Sequence, residues 1–315
     1  MLAVFGLISL SVIAGGVIIP TFGLYISAWY IYIQIAGSVG WMPREVIIQA
    51  VDSMTLVISG FAIYIFVKSG KVTERTWMNS ICVLAAFLSV VGIMQYFYIG
   101  QAVATLGCRN FLAAFLAISA IFCFRKKWLP LLIPIVFCLF LTKTSTAIAA
   151  LCAGSGFYLW KWRGVLISTI PGVLYWLVFK TPFSLLERVD FWKDAICKIS
   201  NSWDTFIFGV GPGIFWKTDN MLHSEYLYAL WNFGIIGVGF LLVYISSRDT
   251  SNRLLFSAFL VILVDGIGNH LMHTAPTAML SLIVLGLNDS QKNDHQMTPN
   301  ILEKKQLTKE PNNGR

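Results

Sequence analysis

Three basic side chains sit at the edges of apolar stretches: Arg109 in "LGCRNFLAAF", Arg188 in "ERVDFWKDAICKI" and His223 in "HSEYLYALWNFGIIGVGF". A guanidinium is planar, permanently charged and able to bind phosphate through two parallel hydrogen bonds. An imidazole takes a proton near neutral pH. Together they suit a displacement in which a diphosphate departs and a hydroxyl attacks. The arginines would hold the departing charge, and His223 would deprotonate the acceptor. Each also has a plainer reading, because basic side chains at a hydrocarbon edge commonly serve as anchors.

The residues around His223 add weaker signals. Gly211 and Gly213, in "FGVGPGIF", are candidates for close backbone contact with substrate, since glycine tolerates close approach and positive φ. The run lacks the Lys-Ser/Thr of a phosphate-binding P-loop and is equally a turn. Glu225 is a candidate to orient the imidazole, although neighbours on a helix point in different directions. Tyr226 fits a substrate contact or an interfacial aromatic belt. His270 and His273 have helical spacing, but with no third ligand nearby they read as a polar cap rather than a metal site.

The elements that must position these residues are membrane helices. Only 12% of the 315 residues are charged, 57% are hydrophobic, and mean hydropathy is +0.73. Soluble domains carry about 25% charged residues. Apolar runs of spanning length, about 17–25 residues, recur along the chain. The expectation is an all-α, polytopic helical membrane protein with about eleven transmembrane helices, in a range of about 9–12. Spans are expected near 2–19, 21–36, 46–67, 77–100, 109–124, 128–142, 145–160, 164–180, 223–245, 254–270 and 272–287.

The net charge of +8 is gathered between these spans: Lys68, Lys71 and Arg75; Arg125, Lys126 and Lys127; Lys161 and Arg163; Arg248 and Arg253. That is a positive-inside pattern, which places these segments in the cytoplasm and leaves no support for a nucleic-acid partner. The opposite face then carries residues 101–109, 143–144 and the long loop 181–222. Within that loop Leu185, Val189, Trp192, Ile196 and Ile199 mark one apolar face of a helix. It reads as an amphipathic helix lying along the membrane surface or over a cavity mouth.

Residues 1–287 thus read as one membrane domain and 288–315 as a polar, disordered cytoplasmic tail. No removable signal peptide is expected, because no basic segment precedes the first apolar run. The six cysteines are scattered. Cys108 and Cys197 share the external side, where an oxidising compartment would permit a pair.

Four segments, in order from residue 105 to 240, resemble the O-antigen ligase and O-antigen polymerase superfamily of bacterial inner-membrane glycosyltransferases. They are "LGCRNFLAAFLA", "LTKTSTAIAAL", "ERVDFWKDAICKI" leading into "FGVGPGIF", and "HSEYLYALWNFGIIGVGF". The resemblance implies transfer of a glycan from an undecaprenyl-diphosphate carrier at the periplasmic face, with neither cofactor nor metal. It implies diphosphate binding by Arg109 and Arg188 and acceptor activation by His223. Ser224 stands where the family usually has Asn, and Thr146 where it often has Arg. Lys143 is then the candidate for that missing charge. The acceptor would be a lipid A core sugar in lipopolysaccharide biosynthesis, a growing glycan or a protein side chain of the cell envelope.

Asp52 and Asp265 lie inside apolar segments, where a carboxylate is costly unless paired. They motivate the main rival, a proton-coupled transporter or lipid flippase; a non-catalytic envelope-assembly scaffold is a third reading. Against the transporter, the chain shows no repeated halves.

Overall fold

The computed structural model describes residues 62–106, 108–178, 182–210, 224–248, 250–269 and 276–290, and among them the regular structure is helical, without strands. The spans expected near 2–19 and 21–36, the start of the one near 46–67, and Asp52 lie outside the described residues.

Helix α1 (Glu74–Ile99) begins at a Thr73 cap, whose hydroxyl accepts from the Thr76 amide, and ends at Gly100 in the left-handed region. Helix α2 (Arg109–Phe122) is buried continuously from Leu112 to Phe122 and forms the centre of the bundle. Around it pack α1, α3 (Leu129–Leu141), the first half of α4 (Ser145–Val178) and α8 (Arg253–Asp265). The α4–α8 contact is tight because its residues are small. A Cβ on Gly154 would fall 2.9 Å from the carbonyl oxygen of Ser257, so only glycine permits this approach. Buried hydroxyls of Ser89 and Ser119 donate to carbonyls four residues earlier, which removes the cost of placing them in an apolar core.

The outside of the bundle carries many large apolar side chains. Ile133 on α3 is 75% exposed and Leu166 on α4 is 73% exposed, with Phe87, Met94 and Phe97 likewise outward on α1. Water would penalise so broad an apolar surface, and hydrocarbon would not. Among the described residues two helices, Glu74–Ile99 and Glu225–Val243, are long and apolar enough to cross a membrane by length and composition.

Two helices are broken. In α4 the backbone leaves helical angles at Trp160 and Lys161, the latter with φ of 56°. Beyond the break, the Gly164 backbone lies against that of Gly156 and Trp162 meets Phe157 edge-on at 5.1 Å. The chain therefore doubles back, in keeping with the separate spans expected near 145–160 and 164–180.

Helix α7 (Glu225–Ser246) differs from the single span expected over 223–245. It breaks at Gly234, with φ of 62°. A Cβ on Gly237 would lie 3.5 Å from the Ala229 carbonyl oxygen, eight residues earlier. A straight helix would separate them by about 12 Å. The first half packs with the loop helices, while Ile245 in the second half joins the main core.

Those loop helices are α5 (Pro182–Ser200) and α6 (Trp203–Phe208). The amphipathic helix is present, but its packed face is rotated from the expected one. Ala195 and Ile199 bury against Trp231, Trp192 is half-buried, and Ile196 faces outward. Exposed pairs Lys193–Asp190 and Lys198–Asp194 cover the other side. A final helix, α9, spans 276–290 and buries Asn288 and Asp289. The polar tail expected from Asn288 is thus helical as far as Ser290.

Candidate functional site

The bundle has two chemically different ends. At one, the Arg125 guanidinium donates to Met78 Sδ at 3.3 Å and Trp128 Nε1 to Asn79 Oδ1 at 2.7 Å. There too Arg248 pairs with Asp289, whose other oxygen accepts from the Tyr64 hydroxyl. Lys68, Lys126 and Lys161 lie exposed at this end. The basic clusters identified in the sequence are therefore gathered on one side.

The other end is where the candidate site residues fall. Arg109 is the first residue of α2 and is exposed. Cys108, which precedes it, offers no side-chain cap, and no acidic residue occupies the first turn. A cation at a helix N-terminus opposes the helix dipole, whereas an anion there would be favoured by both the arginine and the free amides. Asn110 Oδ1 accepts from the Thr144 hydroxyl at 3.2 Å, which ties this helix start to the α3–α4 turn. Lys143, at the tip of that turn, is exposed with φ of 55°. Neither Arg109 nor Lys143 is in an ion pair among the described residues.

A second strand of hydrogen bonds continues across the same end. Asn269 Nδ2 donates to the Thr146 hydroxyl at 2.7 Å and to Asp265 Oδ1 at 2.6 Å. Asp265 is fully buried and Asn269 nearly so. The Glu225 amide donates to the Gly266 carbonyl at 2.8 Å, and the Tyr226 hydroxyl to the Leu263 carbonyl at 2.8 Å. The starts of α2, α4 and α7 and the end of α8 thus converge (three helix N-termini facing one region).

Tyr226 is not a free substrate contact in this arrangement. Its hydroxyl proton is committed to the α8 backbone, so it acts first as a clamp between α7 and α8. Glu225 is half-buried at the α7 N-terminus, where a carboxylate is favoured by the dipole. Arg188 lies on α5, with its side chain outside the described residues; Gly211, Gly213, His223, His270 and His273 are outside them too. Gly209, by contrast, is described. With φ of 79° it lies against the Asn232 backbone, and the next amide, Val210, donates to the Trp231 carbonyl at 2.8 Å. Gly209 and Val210, where the glycine-rich segment begins, are docked into the break of α7.

Sequence reasoning missed Asn110, Thr144 and Asn269, read Thr146 only as a departure from the family pattern, and gave Asp265 to the rival transporter reading. The available signal was a polar residue in the first or last turn of each apolar helix. Among the described residues, no three His, Cys, Asp or Glu side chains cluster as metal ligands, and Cys108 and Cys197 are both free thiols. Two apolar grooves lie along α3, and neither is lined by Arg109, Lys143, Glu225 or Tyr226.

The chain matches no protein-family model, no curated protein and no solved structure.

Proposed function

We propose that this is a polytopic glycosyltransferase of a bacterial inner membrane, of the O-antigen ligase or polymerase type. It moves a glycan from an undecaprenyl-diphosphate carrier onto an acceptor hydroxyl at the periplasmic face. About eleven crossings place the basic clusters in the cytoplasm and the Arg109 end outside. The observation that carries this reading is the pairing of the uncapped α2 start, bearing Arg109, with the Lys143 turn through the Asn110–Thr144 hydrogen bond. Two exposed cations and the first-turn amides of α2 at one place suit a diphosphate. In this reading Arg188 also binds the diphosphate, as the resemblance implies, and His223, two residues before Glu225, takes the acceptor proton. No metal or cofactor takes part.

Binding of the donor tests this directly. Wild-type protein in detergent should retain an undecaprenyl-diphosphate oligosaccharide, with an Arg109→Ala/Lys143→Ala variant weakened at least tenfold. Equal binding by a folded double variant would remove these residues from the reading.

A second reading rests on Asp265, a carboxylate buried at the same end of the bundle. A proton-coupled transporter would use such a group as its proton carrier.

A further inference from the structure

The two apolar grooves on α3 adjoin one another. The outer groove, about 770 Å³, is lined by Leu129, Ile133, Phe137 and their neighbours, with Lys126 as its one charged residue. The inner groove, about 270 Å³, runs between α3 and the α4 hairpin and ends at Trp160 and Ser168. Val136 and Phe140 belong to both and form the ridge between them. Each groove is hydrocarbon-lined; the outer reaches Lys126 at the basic end of the bundle and the inner reaches Trp160 there.

That end is locked together. Phe124 stacks on Tyr158 at 5.3 Å with the rings 12° from parallel, which sets the α2–α3 turn against the α4 hairpin tip. Lys126 and Lys161 follow these two aromatics by two and three residues, and both are exposed. Lys161 holds φ of 56°. Glycine or asparagine suits that backbone better, so a lysine there carries about 1–2 kcal/mol of strain. Trp160, 61% exposed, stands beside it at the level where interfacial tryptophans gather. From Leu129 to Phe140 α3 covers about 17 Å, close to the ~15 Å depth of one leaflet, with Lys126 just beyond its start.

Two adjoining apolar grooves that share a ridge, with Lys126 lining the basic end of one and Lys161 following Trp160 at the basic end of the other, fit one amphiphile with two tails and an anionic head. We propose that this face binds a single anionic diacyl phospholipid of the host membrane. The phosphate lies between Lys126 and Lys161, and one acyl chain occupies each side of the Val136–Phe140 ridge. The inference rests on the membrane-embedded reading of the bundle and is independent of the chemistry at the Arg109 end.

The test is native mass spectrometry of the full-length, delipidated protein in detergent, titrated with phosphatidylglycerol or with phosphatidylcholine of the same chains. Wild type should retain one phosphatidylglycerol in preference to phosphatidylcholine. Lys126→Gln and Lys161→Gln should each weaken that retention roughly fivefold, and together bring it to the phosphatidylcholine level. Ile133→Trp, which fills the outer groove, should weaken both lipids alike. Equal retention of the two lipids by wild type, or lysine variants that bind as wild type does, would overturn the proposal. Carbonate extraction of membranes separates the failures. Release of the protein removes the membrane premise and the proposal with it; retention with unselective binding removes the proposal alone.

Discussion

The backbone amide of Glu225 donates to the carbonyl oxygen of Gly266 at 2.8 Å, joining the first residue of α7 to the residue that closes α8. The contact is long-range in sequence but sits one residue from the buried Asp265 and three from Asn269. Through Asn269 and Thr146 it continues to α4, and Thr144, just before α4, meets Asn110 of α2. The polar end is therefore one connected structure, and changes at its members separate into distinct outcomes.

Arg109→Ala should lower kcat/KM for the lipid-linked donor by about 10- to 100-fold, the scale of one or two lost charge-assisted hydrogen bonds. Arg109→Lys keeps the charge without the planar fork and should fall between. Because Arg109 is exposed, the melting temperature should not move. Steady-state kinetics with a titrated donor measures both variants. Unchanged kcat/KM would exclude Arg109 from the site.

Asp265→Asn keeps an oxygen that can accept from Asn269 Nδ2 while removing the charge. It should fold and retain transfer within a few-fold of wild type. Asp265→Ala leaves the Asn269 amide short of a partner in a buried site and should cost about 1–3 kcal/mol. Transport through a protonated Asp265 makes the opposite forecast: proton-driven uptake lost in Asp265→Asn. Proteoliposome flux at a fixed pH gradient distinguishes the two.

Gly209→Ala and Gly234→Ala should each destabilise by about 1–2 kcal/mol from the left-handed backbone alone. Further loss is expected because a Cβ on Gly234 meets the Ile207 carbonyl and one on Gly209 meets Asn232. Both disturb one contact, so the double variant should lose less than the sum. Thermal melts in detergent test this; full additivity would mean that the loop and the α7 break are independent.

At the opposite end, Arg248→Ala should destabilise by about 3–5 kcal/mol, because it strands Asp289 in a site where the pair is 6% and 9% exposed. Adding Asp289→Asn should recover part of the loss, since the Tyr64 hydroxyl keeps an oxygen acceptor. A melt in which the single and double variants coincide would contradict that account.

Much of the helix plan was readable because hydrophobic runs and their polar interruptions are local. Lys161 and Arg163 marked the α4 reversal, and the apolar repeat through Val189 and Ile199 marked α5. The break at Gly234 was hidden, because a glycine inside a long apolar run resembles ordinary membrane-helix packing. Its cause lies elsewhere in the chain, where Gly209 and Val210 supply the docking backbone and the donor to Trp231. The Asn269–Thr146 hydrogen bond was equally illegible, since its partners are far apart in sequence. Arg109 and Lys143 were recognisable as cations beside apolar segments. Only the Asn110–Thr144 bond brings their two turns together.

The decisive measurement is glycan transfer itself. Purified protein would be incubated with an undecaprenyl-diphosphate oligosaccharide, EDTA, and lipid, glycan and protein acceptors, with products read by mass spectrometry. The account predicts transfer and release of undecaprenyl diphosphate by wild type, with none from a folded His223→Ala variant. A folded wild type that binds the donor yet leaves it intact with all three acceptor classes would contradict it, as would undiminished transfer by His223→Ala.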